Sequence, residues 1–443
     1  MKKYNLLILL MIGLFVQSCA DLDDVNPVNE IDSSLAINSL ATATAAVNGI
    51  YDEMQDPTLR FDGFLALAQF FSDEANATGT FPTRLEFGNV NVFPANTTAA
   101  AVFSDLYDAI NVANNVIEKV PLVEDIALTD AAKADFVGQA KFIRAHCYLH
   151  LATLWGDVPL ILTPTTEIGE VLFVPKSSVP DIYTQIKSDL SDAARDVIDE
   201  TGPGGASKAA ANGLLARVAL YEENWGEALA QATGVLGAGF DLTTVPFLQD
   251  QIYTLIFNDG DGNSLNFFYA PADTSGRYSI GPSQAIIAAF EPGDLRFAAT
   301  LDTSRFSVPF GLKYPSFEAG SSDTALDPIF FMRHAELVLI AAEAEAELGN
   351  FGMASAYFNQ VRSRAGLPDI TLDASNYVDA ILKERFTEFA FEGPFRLIDL
   401  RRRGRAEEVL GPIGYDACDN VWPLPQRDVD RNINLAQNGC CNC

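Results

Sequence analysis

The chain reads as an all-α protein, and three observations carry that reading. Apolar residues recur at helical spacing through most of residues 35–239 and again through 331–391. Two of these stretches repeat one helix–turn–helix pattern. Strand-like runs and Pro/Gly-rich chain gather between residues 240 and 330. With 48% of its 443 residues hydrophobic, the sequence has the composition of a globular body.

A first helix is expected over 35–54 and a second, apolar one over 62–71. From 75 to 99, Asn, Thr, Gly and Pro interleave with Phe81, Phe87 and Phe93. That stretch reads as a long loop, and such loops in compact proteins are often functional. Helix returns over 102–119 and 130–154, where Trp155, Gly156 and Pro159 end it. A helix at 180–199 is closed by Pro203-Gly204-Gly205, and 208–221 with 226–236 form a helical pair. Residues 252–257 and 265–270 read as two strands of a small hairpin around Asn258 to Asn263. The chain then stays irregular to Pro328. Helices resume over 331–348, 353–365 and 377–391, with a short piece near 405–410.

The repeat lies in the two pairs 208–236 and 337–361. In each, an aromatic residue, Trp225 or Phe351, precedes a small Ala, Ala228 or Ala354, by three positions. Ala232 or Phe358 follows four later, then Val235 or Val361. Small residues where helices touch and bulky ones a turn later make a tetratricopeptide-like pattern. Two clear copies are fewer than such a stack needs, and 102–119 with 130–154 match it poorly.

The amino terminus reads as an export signal. Lys2 and Lys3 precede an apolar run from Leu6 to Val16, too short to span a bilayer as a helix. Val16, Ser18 and Cys19 then form a bacterial lipoprotein box. Residues 1–18 are expected to be removed and Cys19 lipidated, which anchors the protein to a membrane without a spanning segment. Residues 19–34 are polar and acidic and read as a tether. The rest divides into an amino-terminal helical part (35–239), an irregular insert (240–330) and a carboxy-terminal part (331–443) of one body.

Cleavage leaves 27 basic against 59 acidic residues, a formal charge of −32. Such a field repels phosphate backbones, so nucleic acid is excluded as a partner, and it suits a neutral or cationic ligand. Export permits disulfides. Cys418 is expected to pair with one of Cys440, Cys441 and Cys443. Zinc-type spacing is absent and no metal or other cofactor is expected. His146 and His150 have metal-ligand spacing, but Cys147 stands where an H-E-x-x-H motif has Glu, and their neighbours are core-like. Asp259, Asp261 and Asn263 imitate a calcium loop without its Gly or its closing Glu, and a turn is the favoured reading.

The carboxy-terminal third then becomes specific. Arg333-His334-Ala335-Glu336-Leu337 leads to Asn359-Gln360-Val361-Arg362-Ser363-Arg364-Ala365-Gly366-Leu367. Glu384-Arg385 opens a run through Glu388 to Glu392-Gly393, with Arg396 and Asp399 beyond it. Trp422-Pro423-Leu424-Pro425 and Gln437-Asn438 close the chain. Upstream stand Asn48-Gly49-Ile50-Tyr51, Ser72-Asp73-Glu74, Leu106-Tyr107, Asn114 and Arg144-Ala145. This ordered set resembles the SusD/RagB family of outer-membrane nutrient-binding lipoproteins over nearly the whole chain. Phe395 and Phe103 depart from the family pattern. The resemblance implies a helical scaffold with irregular segments on it. It also implies a non-catalytic role on the cell surface, where an oligosaccharide or other small nutrient is bound and handed to a SusC-like TonB-dependent transporter.

Glu384, Glu388 and Glu392 share a helix face, with Arg385 and Arg396 interleaved. Paired carboxylates can hydrolyse glycosides, so an anchored glycoside hydrolase is one alternative. The resemblance assigns them instead, with Arg362 and Asp399, to a structural ion-pair motif. A peptide-binding tetratricopeptide scaffold is a further alternative. Sugar binding needs flat aromatic faces beside hydrogen-bonding side chains. The 75–99 loop offers Phe81, Arg84, Phe87 and Asn89. Residues 273–318 offer Arg277, Tyr278, Arg305 and Tyr314, with Phe306, Phe310 and Phe317. The absence of Trp in both segments leaves room for a smaller or more apolar ligand.

Overall fold

The computed structural model describes residues 36–165, 169, 173–237, 242, 250–258, 262–314 and 326–439. Cys19 with the signal and tether, Asp259, Asp261, Phe317, Cys440, Cys441 and Cys443 lie outside the described residues.

Eight helices form the scaffold: α1 (Leu40–Met54), α2 (Thr97–Lys119), α3 (Asp130–Trp155), α4 (Val179–Asp196), α5 (Lys208–Tyr221), α6 (Trp225–Leu236), α7 (His334–Glu347) and α8 (Phe351–Arg364). Each packs on the next in that order, so α6 meets α7 across the whole 240–330 insert. The starts follow local chemistry. Ser39, Asn96, Thr129, Ser178, Ser207 and Asn224 each accept a backbone N–H at a helix N-terminus. Gly156, at φ 76°, ends α3 in a conformation that disfavours any side chain.

The repeat positions behave as the spacing demands, with Ala228, Ala232 and Ala354 wholly buried in the second helix of each pair. Helices α5 and α7 are buried on nearly all sides, so their charges need partners. Arg217 of α5 meets Glu336 of α7 at 2.6 Å, and Arg144 of α3 meets Asp189 of α4 at 2.7 Å. Helix α9 (Tyr377–Glu388) packs on α7, and α10 (Phe395–Arg402) packs on α9 and pairs Arg402 with Glu343 of α7 at 2.5 Å. The chain end returns to α3, where Trp422 packs edge-on against Trp155 at 5.1 Å and the Asn438 amide donates to both their carbonyls.

Three expectations are corrected. Residues 75–99 are not one loop. They contain a strand, β1 (Ala75–Ala77), and a short helix, Pro82–Gly88, which begins at a proline as N-terminal turns favour. Residues 252–257 and 265–270 do not form a hairpin. Gln251–Leu255 (β2) pairs antiparallel with β4 (Ile329–Arg333), while Leu265–Tyr269 is helical. Leu265, Asn266 and Tyr269 are buried, a helical rather than alternating spacing. Phe331 therefore sits in a strand, and helix α7 starts only at His334. A small ladder does occur in the insert, at Leu301–Asp302 with Phe310–Gly311. β1 pairs with β3 (Ile280–Pro282), which brings the insert against the amino-terminal part.

Candidate functional site

Two groups of candidate residues can be compared directly, because both combine arginine, carboxylate and phenylalanine. The first is the α9 seam. Glu388 is wholly buried, and Arg333 and Arg296 reach it at 2.8 and 3.0 Å, with Arg364 also bonded. Burial pushes its carboxyl up, but Arg364, Arg333 and Arg296 outweigh that and hold it well below the usual carboxylate range. Glu384 bridges Arg296 (2.7 Å) and Arg362 (3.1 Å). Glu392 takes Arg333 at 2.8 Å and the buried Lys313. Arg385 pairs with Asp399 at 2.6 Å beside the Phe389 ring, and Arg396 chelates Asp73 at 2.7 Å.

This seam joins all three parts of the chain. Asp73 comes from the amino-terminal part, Arg296 and Lys313 from the insert, and the acids from α9 and the turn after it. A hydrolase needs a carboxyl that substrate can reach and whose proton it can give up. Glu384, Glu388 and Glu392 are each at most 3% exposed and held by cations. Sequence reasoning missed Arg296, Asp250 and Lys313, whose separation from α9 hides them. The signal was stoichiometric: three acids on one buried face require several cations.

The second group lies at the surface. Strand β1 and the segment before β3 bring Phe81, Arg84, Arg277 and Tyr278 together. Thr78 donates to the Tyr278 carbonyl, and its own N–H donates to Ser279 O at 3.2 Å. Arg84 chelates Asp62 at 2.7 and 2.8 Å and lies 4.7 Å from the Phe81 ring centre. Arg277, exposed, lies 4.5 Å from the same centre. Tyr278 is half-buried, with φ 51°, and its hydroxyl donates to Pro309 O at 2.8 Å.

Other ligand candidates go elsewhere. Phe87 is wholly buried, edge-on to Trp422 at 4.7 Å. Tyr314 is 1% exposed and donates to Phe391 O at 3.0 Å. Both rings are withdrawn into packing, so the expectation that they face a ligand is corrected. Asn89 is exposed but lines a separate recess with Asn91, Phe93, Asp416 and Asp419. Cys418, also exposed, borders that recess. Arg305 is bonded to Asp302. A larger cleft of about 410 Å³ runs between α2 and the 427–435 segment, and Phe103 forms part of its wall.

His146 and His150 are core residues packed around Phe64. Burial drives His146 well below its usual range and His150 to about 4. Among the described residues no group of His, Cys, Asp or Glu is arranged to hold a metal.

Comparison with known proteins decides the frame. A model of the SusD family matches residues 305–440, and a second, described as starch-binding associating with outer membrane, matches residues 24–220. The chain belongs to the SusD/RagB family. Its SusD-type relatives include SusD-like protein P2 of Formosa agariphila, 28% identical with 99% of both chains covered. A SusD superfamily protein from Bacteroides vulgatus shares the fold at TM-score 0.80 and 21% identity, covering 90% of this chain and 98% of that one. A laminarin-binding SusD-like protein does so at TM-score 0.78 and 23% identity, covering 91% and 100%. The first SusD match contains the α9 acids and their α8 arginines, and the second contains Phe81, Arg84 and the scaffold up to α5. The description of the second model associates such proteins with the outer membrane, and no helix among the described residues is long and apolar enough to cross one.

Proposed function

We propose that this protein is a cell-surface lipoprotein, anchored through Cys19, that binds a glycan and delivers it to a SusC-like TonB-dependent transporter without chemically altering it. The observation that carries this reading is the meeting of the two irregular segments on one face, where Thr78 and Phe81 contact Tyr278 and Arg277. Exposed polar and aromatic groups converge there on backbone fixed by β1 and β3. Solved relatives support glycan as the ligand class, since one is described as laminarin-binding and another was captured with laminarihexaose. Burial of Glu384, Glu388 and Glu392 supports binding over hydrolysis. The acidic residues 20–29 would serve as the leash between lipid and body.

The test is purification of the native protein from membranes in mild detergent, followed by incubation with glycans. Co-purification with a large β-barrel and recovery of bound glycan intact are expected. A protein recovered alone, or glycan returned as shorter products, would contradict the proposal. Cys19→Ser should move the protein from the membrane to the soluble fraction.

A further inference from the structure

We propose that the surface at Phe81 and Arg277 selects glycans carrying an acidic group, a carboxylate or a sulfate ester. The inference rests on the glycan-binding reading and adds the charge of the ligand.

The argument starts from pairing. In a chain with 59 acidic and 29 basic residues, a cation finds a carboxylate easily. Arg84, Arg144, Arg217, Arg296, Arg333 and Arg396 each do. Arg277 has no carboxylate partner among the described residues, although it is exposed and held against Phe81. Its backbone is fixed. Its N–H donates to Phe267 O at 2.7 Å, and the next two N–H groups donate to Ala270 and Phe268. Tyr278 holds a left-handed φ of 51°, a conformation that costs a non-glycine residue free energy and clusters at functional sites.

The Phe81 ring is already used. Two guanidinium groups stand within 5 Å of its centre, Arg277 at 4.5 Å and Arg84 at 4.7 Å. Of these two cations the exposed one is Arg277, whose planar fork is the charged group offered outward. That fork matches the two oxygens of a carboxylate or sulfate. In the same two segments, Arg84 Nη1 and the Ser279 hydroxyl are buried donors without a protein partner. The surface therefore presents Arg277 as an exposed cation with no carboxylate bonded to it among the described residues.

The negative charge of the whole molecule repels an acidic glycan at long range, and the local contact outweighs that repulsion once salt screens it. Exposed charges more than about 8 Å apart are largely screened at physiological ionic strength, whereas a bidentate contact acts within 3 Å or so.

The experiment titrates the full chain with an oligo-uronate, a sulfate-ester oligosaccharide and neutral laminarihexaose, in low and high salt. One acidic probe should bind at least about tenfold more tightly than the neutral one, the factor a charge-assisted hydrogen bond carries, and salt should weaken it. Arg277→Gln should remove that preference and Arg277→Lys should keep part of it, with unchanged thermal melts. Which acidic probe wins separates carboxylate from sulfate. Equal or tighter binding of laminarihexaose, unaffected by Arg277→Gln, would overturn the inference and leave glycan binding standing. Failure of every probe to bind would overturn both.

Discussion

The α9 seam and the Phe81–Arg277 surface use the same side-chain chemistry with opposite results. In the seam, Arg296, Arg333 and Arg364 converge on Glu388, and none of the four is more than slightly exposed. At the surface Arg84 takes Asp62, while Arg277 is left without an acid. Burial explains the difference. Inside, an unmatched charge costs several kcal/mol, so folding demands the match. Outside, water solvates the cation at little cost, and it remains free for a ligand. Accessibility, rather than residue type, separates the structural group from the proposed binding group.

Five substitutions would break or sharpen that contrast. Glu388→Gln should have the largest effect, because it leaves three buried guanidinium groups short of an anion. A loss of about 4 kcal/mol is expected in chemical denaturation, with glycan binding unchanged in the fraction that remains folded. Retained stability with altered binding would reverse the roles assigned here. Phe87→Ala should cost about 3 kcal/mol by opening a cavity against Trp422. Phe81→Ala, at a ring 38% exposed, should cost less than about 1 kcal/mol while weakening glycan binding.

Glu74 gives a pH test at the join between these regions. It is wholly buried beside Asp73, accepts the Phe391 N–H, and burial lifts its carboxyl to about 8. The unfolded chain releases this proton near pH 4.5, whereas the folded chain keeps it to about pH 8. The folded state therefore binds more protons across that window, and stability falls as pH rises through it. Glu74→Gln removes the titration and keeps the acceptor. Relative to the unsubstituted protein, it should gain stability steadily from pH 5 to pH 8, measured by denaturation at each pH. A difference that stays flat with pH would rule out a buried neutral Glu74. The smallest effect is expected from Arg277→Gln on folding, within about 0.5 kcal/mol.

Most of the scaffold was legible in the sequence. The Ala228 and Ala354 patterns locate α6 and α8 because helix packing is local and periodic. The acids of α9 were legible as one face for the same reason. Long-range pairing was not. β2 and β4 are more than 70 residues apart, and nothing in either run names the other. Leu265 to Ala270 illustrates a second limit, since a short apolar run fits helix and strand equally. For the candidate site, the residue types in 75–99 and 273–318 named two segments that β1 and β3 bring together. The burial of Phe87 and Tyr314 depends on Trp422 and Phe391 arriving from the distant carboxy terminus. The approach of Arg277 to Phe81 depends on β1 meeting β3.

Amide hydrogen exchange with and without an acidic oligosaccharide tests the central claim most directly. Binding at the surface predicts new protection over residues 78–85 and 275–281, and none over 384–392. Protection centred on 384–392, or on the Phe103 cleft with 78–85 unchanged, would contradict it.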